Sequence, residues 1–211
     1  MSRKTTFEEI IMQKQSFKER ERERREEEII RAVANLIRER GFANVSMDDI
    51  ADEVGVSKPT LYQHFKSKDD MIAVTVIRSM RQMHDYMDEL DADSPLLKLE
   101  QMLRHMMETV DAPDALPSSL VEIQIAHPPN HPDFAIERDR VGNDLYALIE
   151  EGKARAEIAQ DIPTGVIIGT MFSLLKVVDR PKALEAYGVD RSKIIDGAVH
   201  LFIRGIRPPQ E

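Results

Sequence analysis

The stretch Val45–Lys68, VSMDDIADEVGVSKPTLYQHFKSK, constrains this chain more than any other part of it. Ser46 is an N-cap residue with Asp49 three positions on as a short capping-box acid, and Val45 is set to staple onto Ile50. A helix therefore starts at Met47, turns Ile50, Ala51 and Val54 inward, and ends at Gly55, which supplies a left-handed residue. Ser57 repeats the start signal: an N-cap hydroxyl, Pro59 in the first turn where no amide partner is lost, and Val56 placed to staple onto Leu61. Two capped helices joined by a Gly55-Val56 turn match the helix-turn-helix. In that motif the second helix lies in the DNA major groove and presents its N-terminal residues to base edges.

Charge agrees with that geometry. From Val54 to Lys68 there are three lysines, Lys58, Lys66 and Lys68, and no acid, in a chain of formal net charge −9. Residues 1–70 hold 14 basic and 15 acidic side chains, whereas residues 71–211 hold 15 and 23. A nearly neutral part with a basic strip, followed by an acidic part, suits a DNA-facing head on a body that avoids DNA. Tyr62 and His64 can donate to phosphates, and Ser57 and Lys58 stand at a helix N-terminus whose free amides also favour phosphate. Thr60 offers a hydroxyl and a methyl to a base edge. Leu61 and Phe65 read as core.

The run S-K-P-T-L-Y-Q-H-F-K-S-K-D-D, preceded by G-F-A-N-V-S-M-D-D-I-A, resembles the DNA-binding domain of the TetR (tetracycline-repressor-like) transcriptional regulators. The resemblance is specific over roughly Ile29 to Ile77 and elsewhere rests on length and helix pattern. It implies that Ser46, Tyr62, His64 and Lys68 touch the phosphate backbone, and that Ser57, Lys58, Pro59, Thr60 and Gln63 face the bases. The chain departs from the family at one place. Members that read a base from the first helix of the motif often use a cation near position 48, where this chain has Asp48.

The remaining sequence predicts an all-α fold: a charged N-terminal extension (1–25), a three-helix head (26–70) and a helical effector-binding and dimerisation body (71–211). At 42% hydrophobic content the chain has enough apolar residues for a packed core. It contains no cysteine, which excludes disulfides and thiolate metal sites and suits a reducing cytoplasm. No apolar run reaches the roughly 20 residues that span a bilayer, so a cytoplasmic protein is expected. Residues 1–28 alternate in charge sign and read either as a helical extension of the first helix or as an arm whose Arg20, Arg22, Arg24 and Arg25 reach phosphates. Ile29, Val33, Leu36 and Ile37 follow helical spacing, with Gly41 as the stop. A long helix from about Lys68 to Leu90 carries an apolar seam of Ala73, Val76, Met80, Met83, Met87 and Leu90, and reads as a lever between head and body.

In the body, Pro95 opens a helix, a short one is expected near residues 116–125, and another runs from about Asp133 to a stop at Gly152, with Arg138 in its apolar stripe beside Phe134, Val141 and Leu145. The segment after Pro163 is apolar nearly all round, and the last helix begins near Ser192. These two helices predict a homodimer interface at Ile168, Met171, Phe172, Leu175, Ile195, Val199 and Phe202, the four-helix bundle that the resemblance also implies. Burial of these residues inside one subunit is the other reading. A small-molecule effector pocket is expected at Met83, His84, Met87, Met102, His105, Met106 and Arg138, mainly apolar because methionine fills varied shapes. His127, His131 and Asp133 lie close in sequence, but the intervening prolines remove helical ligand spacing, so no metal and no cofactor is expected. No phosphate loop, nucleophile elbow or HExxH motif appears, so no enzymatic activity is expected either. The chain therefore reads as a sequence-specific regulator, a repressor released from a palindromic DNA operator by a small molecule. The alternative is a helical dimeric interaction protein that keeps the head without specific DNA binding.

Overall fold

The computed structural model describes residues 7–110, 112, 115, 128–178 and 188–209, and for residues 7–17 the backbone alone. All regular structure among them is helical. The helix expected near residues 116–125 and His127 lie outside the described residues. The chain divides into two compact units, one through Lys68 and the other from Asp69 onward.

In the first unit, α1 (Phe7–Arg40) is a single helix, so the charged run continues the first head helix. Its alternating signs pair along its own surface, Arg22 with Glu26 at 2.8 Å and Arg25 with Glu28 at 2.7 Å. Such exposed pairs contribute a few tenths of a kcal/mol each. Among the described side chains of α1, the buried stripe starts at Ile29 and runs through Ile30, Val33, Ala34, Leu36 and Ile37. Gly41, at φ 77, ends the helix and leads through a short 3-10 turn, Phe42–Asn44, into α2 (Met47–Val54) and α3 (Lys58–His64). Val45, Ile50, Ala51, Leu61 and Phe65 are all buried in this unit.

The second unit contains α4 (Lys68–Glu89) beyond its first residue, α5 (Pro95–Thr109), α6 (Pro132–Ala154), α7 (Thr164–Val178) and α8 (Arg191–Ile206). α5, α6, α7 and α8 enclose one apolar cluster, onto which Met80, Met83, Met87 and Leu90 of the α4 seam pack. Three expectations are corrected here. Gly152 does not end α6, which runs two residues further. It is buried inside the helix because a Cβ there would stand 2.5 Å from Ile158 Cδ1. Arg138 is not in the inward stripe: the buried charged residue is its neighbour Glu137, and Arg138 turns out to pair with Asp139 at 2.7 Å.

The third correction concerns α7 and α8. Met171, Ile195, Val199 and Phe202 lie inside the protomer's own cluster, while Ile168, Phe172 and Leu175 are half-buried against it. The spacing of Ile195, Val199, Phe202 and Ile206 is the inward stripe of a helix packed on α5 and α7, so these four residues have no second face to offer. Within the protomer one side of α7 is uncovered: Val166 is 55% exposed and sits among the exposed residues Gly165, Gly169, Thr170 and Ser173.

Candidate nucleic-acid interface

The α2–α3 pair is built by its caps. Ser46 Oγ accepts from the Asp49 N–H at 3.2 Å while the Asp49 carboxylate accepts from the Ser46 N–H at 2.8 Å. A second bond, from the Ser46 hydroxyl to the same carboxylate, joins them and holds the Asp49 carboxyl below its usual range. Gly55 sits at φ 71 and ψ 35, and the Val56 N–H reaches back to the Ala51 carbonyl at 3.0 Å, closing α2. Ser57 Oγ then accepts from the Thr60 N–H at 3.3 Å, opening α3 with Pro59 in its first turn. Only Leu61 of the helix α3 is buried. Ser57, Lys58, Pro59, Tyr62 and Gln63 are exposed together, Tyr62 at 45% despite its aromatic ring.

The side chains expected to meet DNA are held in different ways. The Ser46 hydroxyl is committed to its capping box, and the Thr60 hydroxyl shares a 2.8 Å hydrogen bond with Ser57 Oγ. Lys58 lies against Asp48, its ammonium 2.7 Å and 2.9 Å from the two carboxylate oxygens, and this hydrogen bond and charge raise its pKa above the usual lysine value. His64 is half-buried with Nδ1 3.3 Å from Glu26 of α1. Lys68 is turned into the head: its ammonium donates to the carbonyls of Phe42 at 2.7 Å and Val45 at 2.8 Å and stands 4.0 Å over the Phe42 ring. Two of its three N–H groups are thereby used in tying the 3-10 turn to the start of α4. Sequence reasoning missed this clamp, and it missed the Asp48–Lys58 and Glu26–His64 pairs, which join residues 10 and 38 positions apart.

In the body, the methionines expected around an effector meet at the apolar cluster, and His84, His105 and Arg138 are each engaged by a neighbour. Met102 and Met106 are buried in the cluster, and Met83 and Met87 pack on it from α4. His105 stacks on Tyr86 with ring centroids 3.9 Å apart. His84 is bonded to Asp144 at 2.8 Å and to Arg140, which ties α4 to α6. Beside it, Arg81 bridges Glu137 at 2.7 Å and Asp133 at 2.9 Å, and Glu137 Oε2 is buried without a hydrogen-bond partner. An amphipathic pattern gives no signal for such an ionic seam, because it runs between helices 52 to 60 positions apart. A cavity of about 420 Å³ lies elsewhere, between α5 and α8, lined by Glu100, Arg104, Asp196, His200, Arg204 and Arg207 over Val199 and Ile203. His131 of the histidine-proline loop accepts from the Asp133 N–H at 3.3 Å and caps α6. The described residues contain no cluster of acids and histidines that would hold a metal ion, and no helix among them is long and apolar enough to cross a membrane.

The sequence profile described as "Bacterial regulatory proteins, tetR family" matches residues 29–74, the segment from the buried stripe of α1 into α4. Among curated proteins, the HTH-type transcriptional repressor KstR2 of Mycolicibacterium smegmatis is 33% identical over 90 residues, covering 41% of this chain and 43% of that protein. The matched stretch spans between 22% and 43% of the length of the first curated relatives. In solved structures the likeness extends much further. The ketosteroid transcriptional regulator KstR2 of Mycobacterium tuberculosis has a TM-score of 0.65 over 88% of this chain and 96% of its own, at 16% identity. The transcriptional regulator FadR of Bacillus subtilis, in complex with stearoyl-CoA, has a TM-score of 0.59 over 85% and 98%, at 19% identity. At these identities the likeness is one of fold.

Proposed function

We propose, from the match of residues 29–74 to the TetR family of bacterial regulatory proteins, that this chain is a cytoplasmic, homodimeric, sequence-specific DNA-binding regulator. It represses from a palindromic operator and is released by a small-molecule effector. The observation that carries the reading is α3 itself, a capped helix that buries Leu61 and leaves Ser57, Lys58, Pro59, Tyr62 and Gln63 outward. Its N-terminal residues face the bases, Tyr62 and His64 take the phosphates beside them, and Ser46, whose N–H and O–H both donate to Asp49, serves the surface by fixing the start of α2. Lys68 acts chiefly through the clamp on the Phe42 and Val45 carbonyls, which fixes the motif, and keeps one N–H for a phosphate. Two copies of α3 about 34 Å apart fit successive major grooves of one duplex.

The dimer forms through the outward faces of α7 and α8 rather than through their buried stripes. Leu201 is 73% exposed on α8 with Gly197 and Gly205 one turn to either side, and Val166 on α7 lies beside Gly165 and Gly169. The Cβ positions of all four glycines are open, so a partner helix can approach closely and seat a large side chain beside them. Ile168, Phe172 and Leu175 border that face. In the body, α4 carries the signal. A mainly apolar effector that repacks Met83, Met87, Met102 and Met106 shifts α4 and changes the α3 spacing, so that effector and DNA oppose each other by linkage. The stearoyl part of the stearoyl-CoA held by FadR of Bacillus subtilis is an apolar chain of this kind.

The reading is tested by selecting bound sequences from a random DNA pool and titrating the selected duplex against a scrambled one at moderate salt. Binding to the selected duplex should be at least about a thousandfold tighter. Lys58→Ala and Thr60→Ala should weaken or re-target it. Equal binding to both duplexes, unchanged by either substitution, returns the chain to an interaction protein that keeps the head without specific DNA binding.

A further inference from the structure

Asp48, exposed at the start of α2, does not stand alone. Its carboxylate lies 2.7 Å and 2.9 Å from the ammonium of Lys58, which places an acceptor from the start of α2 against a donor from the start of α3. Both side chains remain at least half exposed, so the pair is presented to solvent rather than buried as a structural bridge. An exposed pair of this kind adds little to stability. We propose that Asp48 and Lys58 act as one reading unit for a single G·C base pair in each half-site, Lys58 donating to guanine and Asp48 accepting from cytosine. This rests on the DNA-binding reading above and specifies what one part of that surface recognises.

The chemistry selects the base pair. In the major groove a G·C pair offers two adjacent acceptors, guanine N7 and O6, followed by one donor, the cytosine N4 amine. O6 and N4 are bonded to each other within the pair, so the acceptor and donor edges stand about 3 Å apart, the separation of the Lys58 ammonium from the Asp48 carboxylate. An ammonium has three N–H groups and keeps enough of them for both guanine acceptors while it holds Asp48. In an A·T pair acceptor, donor and acceptor alternate, so a carboxylate placed on the adenine amine meets an acceptor on either side. The C·G orientation reverses the order and puts the carboxylate against guanine. A lone carboxylate would be repelled by the phosphates, and Lys58 removes that repulsion. Asp49 cannot replace Asp48, because its oxygens are engaged by Ser46 and Arg40.

The test is selection from a random duplex pool with the full-length protein and its Asp48→Ala, Asp48→Asn and Lys58→Ala variants, each first shown by far-UV circular dichroism to keep the wild-type helix content. The expected result is one G·C pair per half-site that the wild type requires. Asp48→Ala and Lys58→Ala each relax that same pair by about tenfold and leave every other position as it was. Asp48→Asn, whose amide donates as well as accepts, admits A·T there. The inference is overturned if Asp48→Ala leaves all positional preferences intact and tightens every duplex alike with a steeper salt dependence, since Asp48 then only screens Lys58. A wild type that selects no sequence at all is a different result and removes the DNA-binding reading itself.

Discussion

Two helix starts in this molecule use the same chemistry at very different ranges. At α2, Ser46 and Asp49 cap each other across three positions. At α5, Ser94 Oγ accepts from the Leu97 N–H at 3.2 Å, but the acid that completes the cap is Glu157, 63 positions away. Its carboxylate accepts from the Ser94 hydroxyl at 2.5 Å and from the Leu96 N–H at 3.2 Å. In both cases hydrogen bonds from the capping serine are the first cause of a carboxyl pKa held below its usual value. The head therefore carries its own start signal within one turn, whereas the body forms its signal only after α6 has turned back past α5. The contrast separates what local sequence can specify from what only the assembled core can.

The largest test strikes the turn that delivers Glu157. The Gly152 carbonyl accepts from the N–H groups of Glu157 at 2.9 Å and Ile158 at 3.1 Å, and a Cβ on Gly152 would stand 2.5 Å from Ile158 Cδ1 and 3.3 Å from Pro95 Cβ. Ile158 is fully buried and has little room to retreat. Gly152→Ala should destabilise the body by about 1–3 kcal/mol, as overpacking does, and should speed hydrogen exchange at the first amides of α5. The amides of α2 should keep their protection. A variant as stable as the wild type would mean that the turn yields freely and that the remote cap is not fixed by packing.

That difference in range accounts for what could be read from the sequence. The caps at Ser46 and Ser57, the left-handed Gly55 and the single buried face of α3 all follow from residues within a turn or two of each other, and each was legible before any coordinates. Gly152 was not, because a glycine after an apolar stripe carries the same local signal whether it ends a helix or admits a neighbour. Nor was the orientation of α7 and α8. Apolar residues on several sides identify helices that pack, but which side faces the protomer's own core depends on α5, whose contacts are remote. The exposed pairing of Asp48 with Lys58 lies between these cases, since the motif fixes both helix starts near each other while neither residue type alone announces the other.

A smaller effect compares the two caps directly. Ser46→Ala and Ser94→Ala should each cost about 1 kcal/mol, the usual value for an N-cap hydroxyl. Denaturant melts of the single and double variants read the additivity: the serines sit in separate compact units, so the two losses should sum to within about 0.5 kcal/mol. A strong departure from additivity would break the picture of two independent starts.

The smallest effect is electrostatic and follows by linkage. Asp49 and Glu157 both have folded-state pKa values below their unfolded ones, so the native state binds fewer protons and stability rises with pH across that interval. Their contribution is complete above the unfolded value of about 4 and is lost as pH falls through the folded value. Side-chain carboxyl resonances followed by NMR from neutral pH downward should show both acids titrating late. In Gly152→Ala, the Glu157 carboxyl should move up towards its ordinary range as its bonds to Ser94 and Leu96 loosen, while Asp49 stays where it was, since Ser46 holds it from within the same turn. Equal movement of both carboxyls would mean that the head's cap also depends on the body's packing, and the distinction between a local and an assembled helix start would fail.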